Sequence, residues 1–479
     1  MNEREERCYK KASVIVFIIA NILYLIMAVG SNFNYDEAYT VGMIERTFGE
    51  IIDITSHDVH TPFYYFILKL FHMTLGMEQL ISSKIFSWIF MVGYLLLGAY
   101  ICRRHYDRRV EFFWMLFSCF MPAMMIQATN ARMYTFALFE ITLAAYLAYL
   151  LFQEESRWKW ILFTISSILS VYTHTFTMIT MVVIYALFIV TGFVRKRYKK
   201  VVHAFASGII VSCFYLPWLL ILWRQFSRWA GWESGWGNTI EELSLRSLYS
   251  YLAEWFSSLE NPQPLVILSS ILILLVAAFY MIKYVRQTKD WLPCLGVVVA
   301  AIVFVLAMLV SLLIVPCFLG RYVFPLFGGL WLFAAVGITR MSRKWVPMLV
   351  AAMVVVMGGF AFVEEMRLED SEGVDIYREC MQEYEEDDII MADSYYLMMM
   401  SLYDKNAEYM IYGFKSEVLP FGNCEAFTSW EQLEDVGTVW YLSLKDFRIG
   451  NIDEYYECEY RKEFSYSYYD IVLEKYNKK

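Results

Sequence analysis

From Ala12 to Val363 the sequence returns repeatedly to apolar stretches of about 20 residues, the length at which an α-helix crosses the hydrocarbon of a bilayer. No water is present there, so every backbone N–H and C=O must bond within the helix, and few architectures other than a helical bundle satisfy that demand. The 59% hydrophobic and 18% aromatic composition of the 479 residues also excludes an ordinary soluble globule. The expected spans are 12–30, 79–101, 110–128, 132–152, 159–175, 176–194, 201–223, 264–283, 291–317, 322–340 and 345–363, about eleven in all.

Lysine and arginine beside a span are retained in the cytoplasm, which orients the chain. Arg4, Arg7, Lys10 and Lys11 precede the first span and place the N-terminus inside. Alternation then puts Arg103, Arg104, Arg108 and Arg109 inside, with Arg195–Lys200, Lys283, Arg286, Lys289, Arg340, Arg343 and Lys344. The expected location is the plasma membrane, multi-pass, with an extracytoplasmic C-terminus. The first span is too long for a signal peptide and lacks a small-residue cleavage site, so it reads as a retained helix. Nine irregularly spaced cysteines form no CxxC pair. A net charge of −9 argues against nucleic acid as a partner.

Residues 31–78 form a long segment between the first two spans. Within it Ala38–Glu50 and Pro62–Leu75 carry helical spacing and read as interfacial helices. A second long segment, 224–263, holds Trp229, Trp232, Trp236 and Trp255 beside glycines 231, 235 and 237. It reads as an aromatic belt or as a lid over sugar or lipid. Hydropathy falls after Val363, and 364–479 reads as a small α/β accessory domain: strands at Asp387–Ala392, Thr438–Leu444 and Phe464–Leu473, helices at Asp375–Tyr384 and Ser394–Tyr403.

Ionisable residues at membrane depth are costly and therefore tend to be functional. Asp36 and Glu37 in Asn-Tyr-Asp-Glu-Ala-Tyr-Thr follow the first span directly, where a carboxylate can act as general base toward an acceptor hydroxyl. A solvated loop pair is the bland alternative. His57-Asp58-Val59-His60-Thr61-Pro62 lies in the same segment. Together Asp36, Asp58 and His60 can gather carboxylates and an imidazole at one site or ligate a divalent cation, and spacing alone establishes no metal. The alternative is a helix N-cap by Thr61. Arg132 and Tyr134 in Asn-Ala-Arg-Met-Tyr, His174 in Thr-His-Thr, and Arg321 in Gly-Arg-Tyr-Val-Phe-Pro stand where spans meet the outer face. A guanidinium fork there can hold a phosphate, or snorkel to the headgroups. His174 alone is more often a packing residue.

In this order, the motifs Asp-Glu-Ala-Tyr-Thr, Asp-Val-His-Thr-Pro-Phe-Tyr-Tyr, Ala-Arg-Met-Tyr, Thr-His-Thr and Gly-Arg-Tyr-Val-Phe-Pro resemble those of the GT-C membrane glycosyltransferases. They look most like the bacterial family-39 branch, related to the protein O-mannosyltransferases and the lipid A aminoarabinose transferase, over about residues 12–345. The resemblance implies sugar transfer from a polyprenyl-phosphate donor at an outward-facing site. Asp36 then matches the catalytic carboxylate, Glu37 its neighbour, and Asp58 and His60 a second loop motif in which Thr61-Pro62 replaces Pro-Pro. Arg132 and Arg321 fall where the family places arginines near donor phosphate or acceptor.

The expected fold is an all-α polytopic membrane core of GT-C type, residues 1–363, with the extracytoplasmic α/β domain 364–479. The expected reaction is inverting transfer to a hydroxyl of a lipid, glycan or protein acceptor, with Asp36, Glu37 and Asp58 catalytic and His60, Arg132, Tyr134, His174 and Arg321 binding substrate. The rival is a transporter or flippase of lipid-linked glycans, which calls for repeated halves or broken midplane helices that the sequence lacks. A surface binding protein acting through 364–479 leaves the ionic first loop unexplained.

Overall fold

The computed structural model describes residues 2–58, 60–229, 245–257, 263–313, 318–343, 345–368, 372–412, 419–445, 451–466 and 469–479. The helices in chain order are α1 (Glu3–Gly30), α2 (Tyr35–Glu45), α3 (Phe48–His57), α4 (Phe63–Leu75), α5 (Gln79–His105), α6 (Arg108–Phe120), α7 (Pro122–Gln127), α8 (Tyr134–Gln153) and α9 (Arg157–Thr173). They continue as α10 (Thr175–Val194), α11 (Tyr198–Trp229), α12 (Leu245–Phe256), α13 (Pro264–Thr288), α14 (Leu292–Leu313), α15 (Phe327–Thr339), α16 (Trp345–Leu368), α17 (Glu372–Cys380) and α18 (Ile452–Tyr455). Each expected span falls on a helical segment, residues 314–317 of the span 291–317 lying outside the described residues, so the chain is a multi-pass membrane protein with an all-α core. Nine segments among the described residues are long and apolar enough to cross a membrane unaided. The expected spans 110–128 and 159–175 are met by shorter helices. The first is divided into α6 and α7 because Met121, preceding Pro122, takes an extended conformation. The second, α9, ends at Thr173, where His174 is extended (φ −161, ψ 147) before α10 begins.

The chain divides into two compact units. The first comprises Met1–Ile26, Ser56–Tyr64 and Ile85–Val363; the second comprises Met27–Thr55, Tyr65–Lys84 and Glu364–Lys479. In the first unit the helices approach through glycines, as transmembrane helices do where packing rather than water exclusion drives contact. A Cβ on Gly296 of α14 would lie 2.4 Å from the Cα of Gly329 of α15. One on Gly337 would lie 2.3 Å from the carbonyl of Ala277 in α13.

The second unit holds α2, most of α3 and α4, and a six-stranded sheet: β1 (Ile389–Ala392), β2 (Glu408–Tyr412), β3 (Cys424–Phe427), β4 (Thr438–Leu444), β5 (Tyr456–Tyr466) and β6 (Tyr469–Lys478), in the order β3-β2-β1-β4-β6-β5. β1 runs parallel to β2 and β4, while β6 is antiparallel to β4 and β5. Alternation puts Ile390, Ala392, Trp440 and Leu442 in one core, and Ile389, Met391, Val439 and Tyr441 in another, so both faces of the sheet are covered. Three details differ from expectation. The strand read at Phe464–Leu473 is the meeting of two strands, β5 and β6; Tyr395–Leu402 is a 3-10 helix; and the helix read over Ala38–Glu50 is two helices broken at Arg46 and Thr47. Of the loop tryptophans, Trp255 stands on α12, whereas Trp232, Trp236 and glycines 231, 235 and 237 lie outside the described residues, as does the side chain of Trp229.

Candidate active site

In the first unit, the turn between α3 and α4 reaches the N-terminal end of α8. His60 Nε2 lies 2.8 Å from Arg132 Nη2, and His60 Nδ1 lies 2.7 Å from Asp58 Oδ2. A guanidinium can only donate, so Nε2 accepts and the ring proton sits on Nδ1, donated to Asp58. The chain Asp58–His60–Arg132 is thus directional, with a carboxylate at one end and a guanidinium at the other. Arg132 is 3% exposed. Its turn is tightened by its own N–H to the Asn130 carbonyl (2.7 Å), and Ser87 of α5 donates to that same carbonyl at 2.7 Å. The Thr61 hydroxyl donates to the Tyr172 carbonyl at the end of α9, a role different from the N-cap that sequence suggested.

The break between α9 and α10 brings His174 to the same region. Its Nδ1 accepts from the Phe176 N–H at 3.1 Å and so caps α10. The ring stands 6.4 Å from Tyr134 and 4.8 Å from Tyr322, centroid to centroid. His60, Arg132 and Arg321 all act on it electrostatically. Arg321 and Tyr322 lie in a 3-10 turn, Gly320–Leu326, leading into α15. Trp255 of α12 donates to the Gly320 carbonyl at 2.8 Å and fixes that turn. Asp58, His60, Arg132, Tyr134, His174 and Arg321 are therefore gathered in one unit, rich in cationic and aromatic groups and suited to an oxyanion.

Asp36 and Glu37 belong to the second unit. Asn34 caps α2 by accepting from Glu37 N–H at 3.1 Å, and Glu37 accepts in turn from Asn34 N–H at 3.1 Å, a reciprocal capping box. Glu37 is 1% exposed and pairs at 3.4 Å with Lys84, itself 2% exposed. Lys84 also donates to Ser31 Oγ at 2.7 Å and to the Asn32 carbonyl at 2.6 Å. Asp36 is partly exposed in the first turn of α2. The two adjacent carboxylates thus have different environments: one is buried in holding the turn, the other accessible.

Among the described residues no three His, Cys, Asp or Glu side chains gather as a metal site. Both ring nitrogens of His60 are engaged by protein groups. Sequence reasoning missed three residues. Lys84 reads as an ordinary span-end lysine; Tyr322 is inside a quoted motif but without a role. Glu140, a carboxyl within α8, accepts from the Thr173 hydroxyl at 2.8 Å while its other oxygen is buried. An acidic residue in an apolar 20-residue helix was the available signal.

No known family profile and no curated protein sequence matches the chain. Its fold matches solved structures of ArnT from Cupriavidus metallidurans. The apo structure aligns with a TM-score of 0.65 at 11% identity over 96% of this chain and 97% of that one. The structure bound to undecaprenyl phosphate aligns at 0.64, with the same identity and coverage. The polytopic helical core and the small C-terminal sheet domain expected from the sequence therefore have a counterpart in one solved fold, matched along nearly the whole chain.

Proposed function

We propose that this protein is a membrane glycosyltransferase that moves one sugar from a polyprenyl-phosphate donor to a hydroxyl of a lipid, glycan or protein at the extracytoplasmic face. The observation that carries the reading is the group of Arg132 and Arg321 around His174, in a chain whose fold matches over 96% of its length a structure holding undecaprenyl phosphate. The acceptor oxygen attacks the anomeric carbon opposite the phosphate, the C–O bond to phosphate breaks, and the electron pair leaves on polyprenyl phosphate, with inversion. Asp36 takes the acceptor proton. Arg132 and Arg321 neutralise the departing phosphate, and Tyr134 and His174 line its seat. Asp58 orients His60, and Glu37 holds the start of α2. A phosphate monoester is a good leaving group, so a site of guanidinium and carboxylate meets the chemical need. A divalent cation at Asp36, Asp58 or His60 is not required by this scheme.

The test is incubation of purified protein with a panel of radiolabelled polyprenyl-phosphate sugars and membrane extract. Release of polyprenyl phosphate only when acceptor is present is expected. Transbilayer movement of the donor without release would replace this reading with the flippase. The same reading places Lys10 in the cytoplasm and Asp36 outside. Labelling of intact cells should then mark Asp36→Cys and spare His105→Cys, and equal labelling of the two overturns the orientation.

A further inference from the structure

Within the second unit, α2 packs one of its sides on the C-terminal domain. At about 100° per residue, Tyr35, Ala38, Val41, Gly42 and Glu45 share a side of the helix, and Asp36 and Thr40 share the opposite one. Tyr35, Ala38 and Val41 enter the same core as Leu397, Met398, Leu419 and Phe421. A Cβ on Gly42 would stand 3.0 Å from the Pro420 carbonyl, so α2 runs as close to that segment as a side chain would allow.

Polar contacts fix both ends of the helix. Past its C-terminal end, Arg46 donates from Nη2 to the carbonyls of Leu419 and Phe421, each at 2.7 Å, and from Nε to that of Pro420 at 3.2 Å. One guanidinium thus satisfies three successive carbonyls. Before its N-terminal end, Tyr466 donates to the Phe33 carbonyl at 2.6 Å, and Tyr403 stacks on the Phe33 ring at 4.9 Å. Lys405 pairs with Glu45 as well.

We propose that the C-terminal domain is the mount for α2, setting the direction in which Asp36 is presented, and that Arg46 is the positioning residue that locks the mount. The contacts that anchor α2 at Arg46, Phe33 and its apolar side thereby fix the backbone from which the Asp36 carboxylate projects. The kinetic part of this proposal rests on the transferase reading; the structural part does not.

The test uses the full chain in lipid nanodiscs, comparing Arg46→Ala, Arg46→Lys and Tyr466→Phe. Amide exchange across residues 33–46 should quicken at least about tenfold in Arg46→Ala while the membrane helices keep their protection. Affinity for undecaprenyl phosphate should hold within about twofold, and kcat should fall at least about tenfold, since misplacing a reacting group by about 1 Å costs up to about a hundredfold. Arg46→Lys, which can still donate to the carbonyls, should recover part of both losses. Faster exchange with unchanged kcat overturns the positioning role, and unchanged exchange in both Arg46→Ala and Tyr466→Phe overturns the mount. Should Arg46→Ala fail to fold, Tyr466→Phe, which removes one hydroxyl, decides by the same two readouts. A wild-type chain that transfers no sugar refutes the enzyme reading, and the exchange measurement still decides the mount.

Discussion

Arg132 Nη2 stands 2.8 Å from His60 Nε2, so a guanidinium uses one of its donors on a neutral ring nitrogen instead of a carboxylate. Because the ring can accept at only one nitrogen while the other donates to Asp58, this contact fixes the orientation of both His60 and the Arg132 guanidinium.

Lysine at position 132 or 321 keeps the charge and loses the planar fork. Binding of undecaprenyl phosphate to Arg132→Lys is expected to weaken about tenfold, the loss of one charge-assisted hydrogen bond of roughly 1.5 kcal/mol. Isothermal titration in detergent measures it. If Arg132→Ala and Arg321→Ala both bind as wild type does, the two arginines serve only to anchor their turns.

That pair also marks where sequence reasoning stops. Spans are legible because the bilayer fixes their length and composition, and Arg132 is legible as a charge where an apolar run begins. Its contact with His60 bridges 72 residues and depends on tertiary packing that no local pattern encodes. Other features are written in the local sequence. Asn34-x-x-Glu37 is a capping-box signature that starts α2 at Tyr35, three residues ahead of the expected start at Ala38. In the C-terminal domain β2 and β3 are short strands of five and four residues, too brief for alternation to stand out.

The buried Glu37–Lys84 pair should behave as a unit. Removing one partner from a buried pair leaves an uncompensated charge, at a cost of about 3–5 kcal/mol, whereas neutralising both is far milder. Lys84→Met is expected to lower the melting temperature sharply and Glu37→Gln/Lys84→Met to recover most of it. Additive losses in the double variant would show that the two side chains contribute independently.

Burial raises the Cys424 thiol from its ordinary value of 9.0 to about 12. Because the folded state keeps this proton and the unfolded chain releases it above 9.0, the contribution to stability is intact below pH 9 and declines as pH rises toward 12. At pH 8 Cys424 should resist iodoacetamide while the exposed Cys458 is alkylated. Equal alkylation of the two by peptide mass spectrometry would mean that the core around β3 opens readily.

Asp36 carries the proposed chemistry, and its neighbour supplies the control. A general base must be ionised and accessible, which matches the partly exposed Asp36 and not Glu37, 1% exposed and bound to Lys84. Asp36→Asn keeps shape and hydrogen bonding but cannot accept the acceptor proton. General-base assistance is worth about 10²–10⁴-fold, so turnover should fall at least about a hundredfold while melting temperature and affinity for undecaprenyl phosphate stay at wild-type values. Glu37→Gln weakens the ion pair that holds the start of α2, and should lower stability along with rate. The two substitutions, one residue apart, thus separate base from support. Normal turnover by Asp36→Asn would remove it from the mechanism and pass the role of base to Asp58, whose carboxylate already takes the proton side of His60.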